Sequence, residues 1–317
     1  MPTYGYSLMC EAKAPRALVE EARKAEAAGF DFVTISDHIH PWLYSQQHSG
    51  FAWSILGSIV EATERIRLAT MVTCPTFRYH PVIVAQAAAT VAVLSEGRFV
   101  LGLGAGERLN EHVVGAAWPS IDERHERLAE AIDIITLLHG GGYASYHGDH
   151  YDAEDVRIFD LPDQPMEIFA AASGVRGAAL AAEAGVGLCN TAPDPEPVAA
   201  FVSGGGDAAA TWSQVGMAWA GSVEDGLAAA HEGARFMAPG WKVMAELPNP
   251  INFEAATRFV RPEDLSSSIP AGPDPERHVQ AIRESHDAGY HNVAVMYPGD
   301  DLDGFMRFWS EEVRPRL

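Results

Sequence analysis

An unbroken alternation of short apolar runs with helix-like stretches constrains this chain more than any other feature. Apolar runs at 4–9, 31–36, 66–73, 98–106, 166–172, 186–190, 212–220 and 291–297 are each followed by a helical segment. Strands buried on both faces read as such runs, and they belong to parallel sheets covered by helices. Glycine recurs where a helix hands over to a strand, in 25–33, 181–188 and 287–293, where it suits a left-handed helix end. Eight strand–helix units without a linker predict an α/β chain folded as a (β/α)8 TIM barrel, in preference to a doubly wound sheet. The 317 residues then form one domain, since such barrels run to about 250 residues and more as a unit. Segments at about 107–120, 143–162 and 239–268 fall outside the repeat. The first and last are expected to act as lids or binding walls, the middle one as an irregular excursion or short hairpin.

Composition mainly excludes. A net charge of −21 disfavours nucleic acid and anionic membranes as partners and leaves a small molecule as the expected one. No apolar run approaches the roughly 18 residues of a membrane span. The first residues lack a basic stretch ahead of an apolar one, so no secretory signal is expected. Cys10, Cys74 and Cys189 are odd in number and far apart, which fits a reducing cytoplasm and neither a disulfide framework nor a zinc site. The histidines show no metal-binding spacing, so no metal is predicted.

In a barrel the chemistry sits at the C-terminal ends of strands. Five such ends carry polar or glycine-rich sequence: Cys10-Glu11, Asp37-His38 with Trp42 nearby, 71–79, 104–111, and 171–174. His38 can move a proton near neutral pH, and an acid beside it can orient it. Gly102-x-Gly104-x-Gly106 is close to a dinucleotide loop, but its last glycine is misplaced and no acid follows at about 20 residues on a new strand. Arg78 reads equally well as an ion-pair partner or as part of the site.

The phrases Ser36-Asp37-His38-x-x-Pro41-Trp42, Cys74-Pro75-Thr76-Phe77-Arg78-Tyr79-His80-Pro81 and Gly104-x-Gly106-Glu107-x-Leu109-Asn110-Glu111 occur in that order. Together they resemble the luciferase-like (β/α)8 oxidoreductases. More narrowly they are similar to the branch that uses the 5-deazaflavin coenzyme F-420, on its glucose-6-phosphate dehydrogenase and secondary alcohol dehydrogenase sides. The resemblance spans nearly the whole chain and implies hydride transfer between C5 of the deazaflavin and a carbinol or carbonyl carbon. It implies that His38 takes the hydroxyl proton, Glu11 orients His38, Trp42 lines the substrate pocket, and Glu107 carries a proton near N1 of the ring. It implies that Asp37 holds the cofactor, with Cys74 and Gly106 among its contacts. Met71 and Val72 would form a non-prolyl cis peptide behind the ring, and Asn110 would meet its pyrimidine edge. Ala172, Ser173, Gly174 and Val175 would present a helix start to the cofactor phosphate, with Arg176 as a cation. A cytoplasmic homodimer is expected.

Hydride removal from an alcohol requires the hydroxyl proton to leave as well, so an imidazole base is chemically apt. The substrate is less legible. The sugar-phosphate branch uses lysines and an arginine on the phosphate, and this chain has Asp194 and Ser268 at two of those places, with Lys242 the one plausible cation. A neutral alcohol, hemiacetal or carbonyl is therefore expected in preference to glucose 6-phosphate. Reduction by the reduced cofactor, or an FMN-dependent monooxygenase of the same superfamily, are the alternatives.

Overall fold

The computed structural model describes residues 2–317. The strands are β1 (Thr3–Leu8), β2 (Phe32–Ile35), β3 (Arg67–Thr70), β4 (Phe99–Leu103), β5 (Glu167–Ala171), β6 (Gly187–Asn190), β7 (Thr211–Gly216) and β8 (Asn292–Met296). They pair in parallel in chain order, and β8 returns to β1 to close a barrel. The expected (β/α)8 architecture is thus the observed one. Register places Leu8 beside Ile35 and Ile35 beside Thr70. The first three strands therefore end level, and the residues just beyond them share one rim.

The surrounding helices are α1 (Pro15–Ala27), α2 (Ala52–Ala62), α3 (Pro81–Leu94), α4 (Ile121–His139), α5 (Val175–Glu183), α6 (Pro195–Ser203), α7 (Val223–Ala234), α8 (Pro275–Asp287) and α9 (Leu302–Phe308). Several start where the sequence supplies a cap: Ser120, Asp194, Ser222 and Asp274 each accept a backbone N–H in the first turn. The barrel interior toward the N-terminal rim is filled by Phe32, Ala69, Val100, Phe169, Cys189 and Trp212. Phe169 stacks on Trp212 with ring centroids 4.8 Å apart, and Phe32 meets the same indole edge-on at 5.0 Å.

Two element ends differ from the sequence reading, and the two later insertions take definite form. The third strand stops at Thr70, short of the expected 73, because the chain leaves the ladder at Met71-Val72 and rejoins β4 only through a bridge from Thr73 to Leu103. Segment 143–162 is a hairpin, Ala144–His147 against Asp152–Val156. The helix expected over 223–237 ends at Ala234 and continues as a 3-10 turn to Met237. Two helices, α7 and α8, follow β7, with the late insertion between them carrying the short helices Trp241–Met244 and Pro250–Thr257. Trp42, Leu109, Phe236, Met244, Phe253 and Leu265 form a second apolar core that seats this insertion on the C-terminal rim. No helix among the described residues is long and apolar enough to cross a membrane.

Candidate functional site

β2 is Phe32-Val33-Thr34-Ile35, buried throughout, and it runs out of apolar residues at Ser36. Beyond that point hydrogen bonds fix the chain. Ser36 Oγ donates to Glu11 Oε2 at 2.5 Å and accepts the Cys10 N–H at 2.9 Å, so the ends of β1 and β2 are tied together. Glu11 is wholly buried, and its other oxygen lies 3.2 Å from His38 Nδ1. The His40 carbonyl is 3.3 Å from the same nitrogen. Nδ1 thus faces two oxygen atoms, an arrangement that suits the tautomer with the proton on Nδ1 and the lone pair on Nε2. Nε2 faces Glu107 Oε1 at 3.6 Å.

Glu107 reaches this point through a turn that only glycine allows cheaply. Gly106 has φ +86°, and a Cβ there would sit 2.8 Å from Glu111 Cγ. The turn starts the short helix Arg108–Glu111 with Glu107 as its N-cap and throws the Glu107 carboxylate back toward β2. Asn110 locks the arrangement. Its Oδ1 accepts the N–H groups of Ile39 and His40 at 2.9 and 3.2 Å, and its Nδ2 donates to Glu107 Oε1. The Asn110 oxygen is thus engaged with the chain itself, while its Nδ2 keeps one N–H beyond the bond to Glu107.

Asp37 points away from the His38 ring into a buried network. Thr73 Oγ1 donates to Oδ2 at 2.8 Å, Tyr79 O–H to Oδ1 at 3.1 Å, and Arg78 Nη2 lies 3.2 Å from Oδ1. Burial works against the Arg78 charge, but Asp37 beside it holds the guanidinium pKa above its ordinary value. Glu111 takes the Arg78 backbone N–H at 3.0 Å. Burial pushes its carboxyl up to about 8 in spite of Arg78. Sequence reasoning did not assign Ser36, Thr73, Tyr79 or Glu111. All four do lie in or beside the quoted phrases, which is the one signal that marks them.

Trp42 stands edge-on to His38, with centroids 4.7 Å apart. Phe236 stacks on the indole at 5.0 Å and 3°, and Phe253 closes another edge at 5.1 Å. The Trp42 and Leu43 N–H groups both donate to Gln46 Oε1, at 2.9 and 3.1 Å. Trp42 is therefore an anchored wall, and apolar on the insertion side.

The remaining residues lie along β3, β4 and β5. The Met71-Val72 peptide is cis, as the family resemblance implied. Gly104 lies against it, since a Cβ there would meet Val72 Cγ2 at 2.6 Å and Cys74 Sγ at 3.4 Å. Cys74 is buried, and desolvation raises its thiol well above the usual range. All three cysteines are free. Gly174 begins α5 in extended conformation, with no side-chain cap and no acid in the first turn. Ser173, Val175 and Arg176 are exposed there, and Ala172 is buried beneath. An uncapped helix start presents free N–H groups and suits an anion. Arg176 pairs with Asp122 across to α4. The α5 start can therefore take an anionic group.

An eight-stranded barrel with a carboxylate–imidazole–carboxylate set at its C-terminal rim is an enzyme architecture. The chain belongs to the luciferase-like monooxygenase family, whose model matches residues 3–292. It is 36% identical over 325 residues to an F-420-dependent glucose-6-phosphate dehydrogenase of Microbacterium testaceum, covering 99% of this chain and 97% of that one. An F-420-dependent hydroxymycolic acid dehydrogenase of Mycobacterium tuberculosis is 36% identical over 308 residues, covering 95% and 84%. The solved F-420-dependent secondary alcohol dehydrogenase, in complex with an F-420–acetone adduct, superposes with a TM-score of 0.92 over 99% of both chains at 26% identity.

Proposed function

We propose that this protein is a coenzyme F-420-dependent oxidoreductase acting between an alcohol or hemiacetal and the corresponding carbonyl. The observation that carries the reading is His38, held by Glu11 at 3.2 Å on Nδ1 and facing Glu107 at 3.6 Å on Nε2. Relatives named for the same coenzyme match over nearly the whole chain. Bound at this rim, the deazaflavin supplies a hydride acceptor or donor at C5. The chain's own part is proton management and positioning. Nε2 takes the hydroxyl proton as the carbinol hydrogen leaves with its electron pair, and in the reverse direction it returns that proton to the carbonyl oxygen. Glu11 stabilises the imidazolium so formed. Glu107 holds a proton or charge at the ring side, the α5 start takes the anionic tail, and Trp42 walls the substrate.

The substrate is a neutral, partly apolar molecule. Trp42, backed by the buried Phe236 and Phe253, gives the site an apolar wall on the insertion side. Asp194 is spent capping α6, and the Ser268 hydroxyl donates to the Leu265 carbonyl, so neither place offers a cation for a phosphate. Titration with deazaflavin and with FMN, followed by an alcohol and aldehyde panel read at the deazaflavin absorbance, tests both parts. Tight binding of the deazaflavin with turnover of a neutral substrate is expected. Selective FMN binding would refute the cofactor, and efficient turnover of glucose 6-phosphate would refute the substrate class. A homodimer belongs to the same reading, since α3 carries no charged residue yet exposes Ile83 and Leu94 in a strongly acidic chain. Light scattering is expected to give twice the 34.1 kDa chain mass, and a monomer at working concentration would refute it.

A further inference from the structure

His38 follows β2 and Glu107 follows β4, so their separation depends on how two strand ends are held together. Misplacing such groups by about 1 Å can cost a hundredfold in rate. One guanidinium spans the gap beneath them. Arg78 Nη2 donates to the Asp37 carbonyl at 2.6 Å and contacts Asp37 Oδ1 at 3.2 Å, immediately before His38. On its other side Arg78 Nε lies 3.7 Å from Glu111 Oε1, and the Arg78 backbone N–H donates to Glu111 Oε2 at 3.0 Å. Glu111 lies one turn beyond Glu107 in the same short helix. Arg78 Nε and Glu111 Oε1 are buried and have no hydrogen-bond partner among the described residues, so at 3.7 Å they are close without bonding, and the hydrogen bond that joins Arg78 to Glu111 is the backbone one.

We propose that Arg78 is a positioning residue of the hydride-transfer site, setting the spacing of His38 and Glu107 by clamping Asp37 to Glu111. This rests on the roles proposed for His38 and Glu107. A plainer role would be to neutralise the buried Asp37 carboxylate. The two roles separate at lysine, which carries the charge and keeps the backbone N–H to Glu111 but cannot hold the Asp37 carbonyl and carboxylate together from one planar fork. The groups facing His38 are Glu11, Glu107 and Trp42. Those facing Arg78 are Asp37, Tyr79 and Glu111.

The test uses imidazole nitrogen NMR of His38 in the full chain without added coenzyme, assigned by loss of the signals in His38→Asn. Arg78→Lys and Arg78→Met are compared with Arg98→Met. Arg98 holds the carbonyls of Val60, Thr63 and Ile66 at the C-terminal end of α2 and just beyond it, so its loss is structural only. Both Arg78 variants are expected to move the His38 signals while Arg98→Met does not. With coenzyme and substrate, turnover should fall about tenfold or more while coenzyme affinity stays within roughly twofold. Wild-type His38 signals and turnover in Arg78→Lys would overturn the proposal and leave charge compensation as the role. Should Arg78→Met fail to fold, the lysine variant decides alone. Absence of any coenzyme turnover in the wild type would sink the functional reading, while the His38 spectra would still decide the coupling.

Discussion

Toward its N-terminal rim the barrel is filled by Phe32, Phe169 and Trp212, whereas at the other rim β1, β2 and β4 lead into Glu11, Asp37, Glu107 and Glu111. Each aromatic at the floor stabilises the fold by area burial and ring contacts, and has no polar atom left to satisfy except the indole N–H. Each buried acid at the rim costs desolvation that must be offset by dedicated partners: Ser36 for Glu11, Thr73, Tyr79 and Arg78 for Asp37, Asn110 for Glu107. Stability and chemistry are thus segregated along one set of strands. The rim can carry expensive groups because the floor below it is dry and close-packed.

Three substitutions test that division, in descending order of expected effect. His38→Ala should lose several hundredfold or more in turnover, roughly 4 kcal/mol at the barrier, with coenzyme affinity and melting temperature near wild type. Full activity in steady-state assays would remove His38 as the base. Phe169→Ala should cost about 3–5 kcal/mol of stability in urea unfolding while leaving coenzyme affinity unchanged. A loss of affinity without a loss of stability would show that the floor and the rim are not separate. The smallest effect concerns a buried acid outside both regions. Glu21 sits on the buried face of α1, where its carboxylate accepts the Tyr6 O–H at 3.4 Å, and burial pushes its carboxyl from 4.5 up to about 7. The folded state then binds this proton more tightly than the unfolded one. Its contribution is full below about pH 4.5 and is lost as pH rises through about 7, a swing of roughly 3 kcal/mol. Glu21→Gln should remove that slope and make the variant relatively more stable at pH 8 than at pH 5. An unchanged slope in melting temperature against pH would show that Glu21 is not the group responsible.

The fold was legible because its signals are local. Apolar runs, helix caps and glycine joints are each written within a few residues, and they gave eight strands with ends misjudged by up to four residues. The third strand ran short because nothing in Ile66 to Thr73 marks the departure at Met71-Val72. His38, Glu11, Glu107 and Trp42 were legible too, since a barrel assigns strand ends to one rim. Ser36, Thr73 and Tyr79, which support them, were not, because serine, threonine and tyrosine beside a strand end occur in loops of every kind. Asn110 shows the difference. Its place in the phrase marks it for the site, but only the structure commits its oxygen to Ile39 and His40, about 70 residues away in the chain.

The sequence by itself determined the barrel, the rim on which chemistry must fall, and the titratable groups available there, because periodicity and strand order are properties of the chain read in one dimension. Only the tertiary structure decided that Glu11 and Glu107 flank one imidazole, that Asp37 turns away from it toward Arg78, and that Trp42 is backed by Phe236 from the late insertion. Those contacts join segments 27 to 194 residues apart. They arise from closing the barrel and folding the insertion over it, which no local pattern encodes.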